Sequence, residues 1–339
     1  MILTRRPKLT ATQQRAYDEM LPLLVAGKRE FQLPTYCSHK DVNAAYQALH
    51  YDHFELFWLG MTCKVTEYTR GPEKWTTVSI SEIVRDAKLA QYKTAVAKEV
   101  KAFLDTIPAS ASAYDKVCAA YEYVCEKTDY DADAKNSQNL LGVFLDRRSA
   151  CAGYSEAFAL LLEAMGIPAA CVTGKANGGN HEWNLVCIDG TYVFVDPTWG
   201  DPTFRAKNGE GKTRGLSHAY LCVTDKELSR THVADNDQLL PACTSNEYDW
   251  YARRGCLVKS DYKKRFDALL AQAVAAGERS LELKFATSSG FDEAKGLFAS
   301  KNLSSTSFGK ALGAQVGAGK TISVQMAGNE NMRVLSVSW

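Results

Sequence analysis

No stretch of the 339-residue chain reaches 18 consecutive apolar residues, which excludes a membrane-spanning helix. No sign of charge is in surplus either: 40 Lys and Arg stand against 39 Asp and Glu, a net charge of +1. A dedicated nucleic-acid binder carries a basic excess to neutralise phosphates, so nucleic acid is not expected as a partner. No C-x-x-C pair occurs among the ten cysteines, which removes the spacing of a zinc ribbon and of a thioredoxin-like redox site. No D-x-D-x-D-G run is present to hold calcium. Neither a metal nor a cofactor is therefore expected. Internal repeats and low-complexity tracts are also missing. The opening residues, Met1-Ile-Leu-Thr-Arg-Arg-Pro-Lys8, lack the apolar core and small-residue cleavage site of a signal peptide. As written, the chain is expected in the cytoplasm, and outside it only if a leader preceded this start.

What remains is an ordinary globular composition, 46% hydrophobic and 23% charged, with material for two or three domains. The cysteines, at 37, 63, 118, 125, 151, 171, 187, 222, 243 and 256, are spread evenly through a chain too large to need covalent staples. Most are expected to be small buried hydrophobes.

The periodicity divides the chain into three segments. An N-terminal α+β domain is expected over 1–107. It starts with an amphipathic helix from the cap Thr10 to Ala26, carrying Tyr17, Met20, Leu21 and Leu24. A second helix is expected over 40–50 (Val42, Ala45, Tyr46, Leu49), then strand material around Cys63 and a long helix over 82–104 that stops before Pro108. A catalytic domain is expected over 108–257, entered by a helix over 113–126 with Val117, Ala120, Tyr121 and Val124 on one face. A C-terminal α+β domain, 258–339, reads helix (261–276), strand (279–286), helix (291–300) and a strand pair around 320–338.

One cysteine differs from the rest. After Ser149-Ala150-Cys151, residues Phe158, Leu161, Leu162 and Met165 line a helix face that Gly166 and Pro168 terminate. Cys151 thus opens a helix, where unpaired N–H groups and the positive end of the dipole favour thiolate over thiol. Downstream, His181–Ile188 and Thr191–Asp196 flank Asp189-Gly190, a type I′ hairpin signal. A two-residue turn pairs Ile188 with Thr191. His181 then falls opposite Thr198 and Trp183 opposite Asp196, and all four side chains share one face. His181 and Asp196 become diagonal neighbours, about 7–8 Å apart at Cα. That arrangement suits a carboxylate accepting the Nδ1–H of an imidazole.

Cys151-Ala-Gly-Tyr-Ser-Glu-Ala-Phe158 with Gly166-Ile-Pro168, His181-Glu-Trp-Asn184 and Val195-Asp-Pro-Thr-Trp-Gly-Asp-Pro202 resemble the transglutaminase-like superfamily, especially its bacterial branch. The resemblance covers about residues 110–255. Two outlying segments, Tyr51-Asp-His-Phe-Glu-Leu-Phe-Trp58 and His218-Ala-Tyr-Leu-Cys-Val-Thr-Asp225, are similar to flanking parts of those chains. It implies an α+β class and a papain-like core, with a helix-borne Cys packed on an antiparallel sheet and smaller α+β domains flanking it. It also implies Cys151, His181 and Asp196 as the catalytic triad. Glu182 departs from the family, where many members have a small residue after the His, and its side chain is expected on the opposite face.

The chemistry expected is cysteine-dependent amide hydrolysis of a peptide or protein through a thioester acyl-enzyme. Acyl transfer to a second amine substrate is the alternative. A non-catalytic peptide-binding scaffold is another, and a redox sensor using Cys151 with Cys171 or Cys187 is a third. The backbone N–H of Cys151 is expected to donate to the oxyanion, helped by Gln138 from the upstream loop; Asn136 and Asn139 are neighbouring candidates. Trp183 and Trp199 are candidates to line the cleft. His50-Tyr-Asp-His53 fits no common zinc spacing, and His218 and His232 show no companion carboxylate in the sequence. Ala314-Gln-Val-Gly-Ala-Gly-Lys-Thr321 imitates a phosphate loop but lacks its first glycine and the strand–loop–helix context.

Overall fold

The computed structural model describes residues 2–82, 86–205, 215–299, 303–316 and 322–339. The chain divides into two compact units. The first holds residues 1–192, 196–198 and 232–242; the second holds 193–195, 199–231 and 243–339.

In the first unit, helix α1 (Ala11–Val25) starts on a capping box, Thr10 and Gln13 exchanging side-chain and backbone hydrogen bonds, and it buries Tyr17, Met20 and Leu24. Strand β1 (Glu30–Gln32) follows, then helix α2 (His39–Asp52), capped by Ser38 and burying Val42, Ala45, Tyr46 and Leu49. Strands β2 (Leu59–Arg70) and β3 (Glu73–Glu82) form a long hairpin, and β1 adds to β3 in a three-stranded sheet of order β1-β3-β2. Helix α3 spans Asp86–Leu104. Asp52, buried at the end of α2, accepts from the backbone N–H groups of Thr4, Arg5 and Arg6 and so ties down the N-terminal segment.

Helix α4 (Ala113–Lys127) begins on a second capping box, Ser112 with Asp115, and buries the expected face together with Cys118 and Cys125. Strands β4 (Asp129–Tyr130) and β5 (Arg148–Ser149) pair in parallel. Between them, the apolar run that begins at Leu140 folds into a wide helical turn, Gly142–Asp146. Helix α5 (Cys151–Ala164) packs on β6 (Ala169–Ala176) and β7 (Gly179–Ile188). With β8 (Thr191–Val195) and β9 (His232–Ala234) these make a sheet of order β8-β7-β6-β9, in which β6 is antiparallel to β7 and β9. Asp189 and Gly190 both lie at positive φ, +49° and +87°, as a type I′ turn demands. This is the expected α+β arrangement, a helix-borne cysteine on a largely antiparallel sheet.

One expected feature is corrected here. Strand β8 ends at Val195, and Thr198–Gly200 forms a 3-10 turn instead of extending the strand. The expected boundary between residues 107 and 108 falls inside the first unit, where α2 packs on β6 and Asn139 donates to the carbonyl of Phe57.

The second unit contains α6 (Pro202–Arg205), α7 (Asp225–Leu228) and α8 (Trp250–Arg253), followed by β10 (Leu257–Val258), α9 (Tyr262–Ala275), β11 (Ser280–Phe285), α10 (Ser288–Ala299), α11 (Ser307–Val316), β12 (Gln325–Asn329) and β13 (Val334–Ser338). Its sheet has the order β10-β11-β13-β12, and Phe266, Leu270, Leu283, Phe285, Phe308 and Leu335 fill the core beneath it. Helix α11 was not expected from the sequence. It ends on the first residues of the phosphate-loop lookalike, whose remainder, 317–321, lies outside the described residues, as do residues 206–214. All ten cysteines are thiols, with no disulfide among the described residues. No helix among the described residues is long and apolar enough to cross a membrane.

Candidate active site

Cys151 is the first residue of α5, and two glycines shape its surroundings. A Cβ on Gly153 would lie 2.1 Å from Ser149 Oγ and 2.6 Å from the carbonyl oxygen of Asn139; one on Gly142 would lie 2.7 Å from the carbonyl oxygen of Asn136. Only glycine lets the 136–142 loop close onto the start of the helix. The Ser137 carbonyl then accepts from both the Ala150 N–H and the Ser149 hydroxyl, each at 2.8 Å. This leaves Cys151 half-buried at a helix end whose dipole favours a negative charge.

The Cys151 thiol hydrogen-bonds the imidazole of His181 on β7. The same ring reaches Asp196, Nε2 to Oδ2, at 2.8 Å. The imidazole therefore meets the carboxylate through Nε2, not through the Nδ1 expected from the sequence, and Nδ1 is the nitrogen left for the thiol. Because β8 stops at Val195, Asp196 approaches from the strand end, where its carboxylate is fully buried. Burial opposes charge on both partners, yet their contact wins. His181 is pushed up to about 10, chiefly by Asp196 and further by Cys151. Asp196 is held well below the usual carboxylate range by His181 and then by His232.

His232 was missed in the sequence. Its Nε2 lies 3.1 Å from the same Asp196 Oδ2, so it does have a companion carboxylate. No local motif marks it; only the long-range pairing of β9 on β6 brings it there. His218, in the second unit, likewise has a carboxylate partner, Glu282 at 3.5 Å, and stacks on Trp250 at 3.8 Å. Tyr130, on β4, also feels the site: burial first, then Cys151 and Asp196, raise its phenol.

The remaining sequence candidates separate clearly. Trp183 is 1% exposed and packs near-parallel to His181, centroids 6.2 Å apart, so it walls the imidazole from within the core. Trp199 belongs to the second unit, against Phe204 and Tyr220. Asn136 is engaged by Asp146, and Asn139 by Phe57 and Leu141. Gln138 is exposed and lines a cavity of about 270 Å³ with Ala152, the residue after Cys151. That cavity also collects Tyr51, Glu156, Cys171 and Glu182. Burial, partly offset by Arg5, Cys171 and His181, raises Glu182 to about 7.

Ligand atoms of His181, Asp196 and His232 lie within 4.8 Å of one another, the one such group that could hold a metal among the described residues. Their spacings of 2.8 and 3.1 Å are hydrogen-bond lengths, with both imidazoles converging on one oxygen, and the chemistry they support is proton transfer and charge stabilisation.

Comparison with known proteins agrees with the resemblance in the motifs. Residues 101–197 match the model of the transglutaminase-like superfamily, a stretch that contains Cys151, His181 and Asp196. A curated relative, the mouse (Mus musculus) protein named kyphoscoliosis peptidase, is 22% identical over 37% of this chain, and the match spans only 23% of that relative. Among solved structures, a TGase is 17% identical with a TM-score of 0.31, covering 56% of this chain and 55% of that one. A protein provisionally assigned as a cysteine protease, from Cytophaga hutchinsonii, is 16% identical with a TM-score of 0.29, covering 41% and 63%. The chain thus carries a transglutaminase-like segment and spans less than a quarter of the length of its curated relative.

Proposed function

We propose that the protein hydrolyses amide bonds in a peptide or protein substrate through a Cys151–His181–Asp196 triad. The observation that carries this reading is the continuous chain from the Cys151 thiol through His181 to the buried Asp196 carboxylate. In the first half-reaction the Cys151 thiolate attacks the carbonyl carbon, and the electron pair of the C=O bond moves to oxygen. The Cys151 N–H, with Gln138 beside it, receives that oxyanion. Collapse re-forms the carbonyl and breaks the C–N bond, while His181 gives its proton to the departing amine. A thioester remains. Water, losing a proton to His181, then attacks the thioester and releases the acid and the thiolate. Asp196 keeps the imidazole oriented and stabilises its charged form throughout. The name of the mouse relative, a peptidase, agrees with hydrolysis.

The test has two arms. Intact-mass labelling with iodoacetamide in mildly acidic buffer should modify one thiol ahead of the other nine, and the fast phase should vanish in Cys151→Ala and slow in His181→Ala. A peptide library incubated with the wild type should then yield cleaved acids that Cys151→Ala does not produce. Uniform labelling of all ten thiols would overturn the proposal in favour of a binding scaffold. Products carrying a new amine instead of a free acid would redirect it to acyl transfer.

A further inference from the structure

We propose that His232 is a positioning residue of this site, extending the array to Cys151–His181–Asp196–His232 by holding the carboxylate oxygen that orients His181. The effect on Cys151 rests on the function proposed above; the His232–Asp196 bond does not.

The geometry comes from strand register. His181 on β7 pairs with Gly174 on β6, and Ala176 on β6 pairs with His232 on β9. Residues 174 and 176 of one strand face the same way, so both imidazoles stand on one face of the sheet. Their centroids are 5.5 Å apart, and both Nε2 atoms converge on Oδ2 of Asp196, at 2.8 and 3.1 Å.

The surroundings are built for this approach. A Cβ on Gly174 would sit 2.2 Å from the Val233 carbonyl oxygen and 2.8 Å from both Ala234 Cα and Trp183 Cη2, so β9 reaches its place only over a glycine. Trp183 packs its edge against His232 at 4.9 Å while lying near-parallel to His181. His232 itself is 3% exposed. It also lies outside the stretch, 101–197, that matches the superfamily model, so this contact belongs to the chain's own later strand.

The consequence follows from the carboxylate. A carboxylate can turn about its Cβ–Cγ bond. A second donor on the same oxygen stops that rotation and keeps Oδ2 aimed at His181. In this proposal His232 acts through Asp196.

Two measurements test it. In protein carrying 15N-labelled histidine, the ring signals of His232 should show the proton on Nε2, and that proton's shift should move in Asp196→Asn. For reactivity, His232→Leu should slow iodoacetamide labelling of Cys151 on the order of tenfold, the scale of outer partners that orient a working group. His232→Gln, whose amide nitrogen falls near the position of Nε2, should recover most of the rate. A merely structural role gives the reverse order, because leucine suits an apolar site better than glutamine. If His232→Leu does not fold, His232→Asn replaces it, its shorter amide falling short of Oδ2. A proton on Nδ1 of His232, or a folded His232→Leu with the wild-type labelling rate, overturns the proposal. Should Cys151 of the wild type label no faster than the other thiols, the proposed function fails, while the ring spectrum still decides whether His232 holds Asp196.

Discussion

His181 meets Asp196 through Nε2 at 2.8 Å, which leaves Nδ1 as the ring nitrogen for Cys151. The carboxylate is fully buried, so the imidazoles that touch it act on its charge with little screening by water. Asp196→Asn should keep the fold of α5 and β7 but remove the anion that favours the charged imidazole. We expect about 1000-fold or more to be lost from the hydrolytic rate. Peptide cleavage by Asp196→Asn at a rate within tenfold of the wild type would show that Asp196 only fills space.

Gly153 should be intolerant of even one methyl group. Its neighbours at 2.1 and 2.6 Å include the Asn139 carbonyl, so Gly153→Ala has to push the 136–142 loop off the helix start. The expected cost is about 1–3 kcal/mol in stability, with slower labelling of Cys151 as Gln138 shifts. Gly296, inside α10, is the control. Nothing lies within 4 Å of a Cβ there, and Gly296→Ala should stabilise by up to about 1 kcal/mol. Denaturant unfolding of both variants checks the contrast.

Glu182 should make stability fall as pH rises. Its folded value near 7 lies above the ordinary 4.5, so between these values the native state holds a proton that the unfolded chain releases. Stability therefore declines as pH climbs through that window, by up to about 3 kcal/mol. His181, raised to about 10, continues the decline at higher pH, because its contribution is complete below 6.5 and lost above. Glu182→Gln should flatten the lower limb and leave the upper one. Unfolding midpoints across the pH range, with an unchanged lower limb in the variant, would refute this.

In the second unit, Lys284 is 4% exposed and bridges Glu227 at 2.5 Å and Asp249 at 2.6 Å. Lys284→Met would strand two carboxylates without their cation. The expected loss is about 3–5 kcal/mol, because an uncompensated buried charge costs more than the pair contributes. Adding Glu227→Gln and Asp249→Asn should recover part of it. A Lys284→Met protein as stable as the wild type would mean that water reaches these groups.

Much of the molecule was decided locally and could be read from the sequence alone. The cap Thr10 and the apolar spacing behind it marked α1, and the apolar face alone marked α4, because capping and a buried stripe act within a few residues. Asp189-Gly190 determined the hairpin through positive φ, and that brought His181 and Asp196 near each other before any fold was known. The helix start at Cys151 was equally local. Tertiary structure alone decided which imidazole nitrogen meets Asp196, since the early end of β8 sets the carboxylate's approach. It alone brought His232 to the site, from a strand whose partner lies more than fifty residues earlier in the chain. It alone buried Glu182 beside Glu156 and Cys171. Local signals come from backbone torsion and side-chain periodicity, which a few neighbours settle. A hydrogen bond between distant strands depends on the register of the whole sheet and on a glycine, Gly174, whose missing Cβ has meaning only when β9 lies across it.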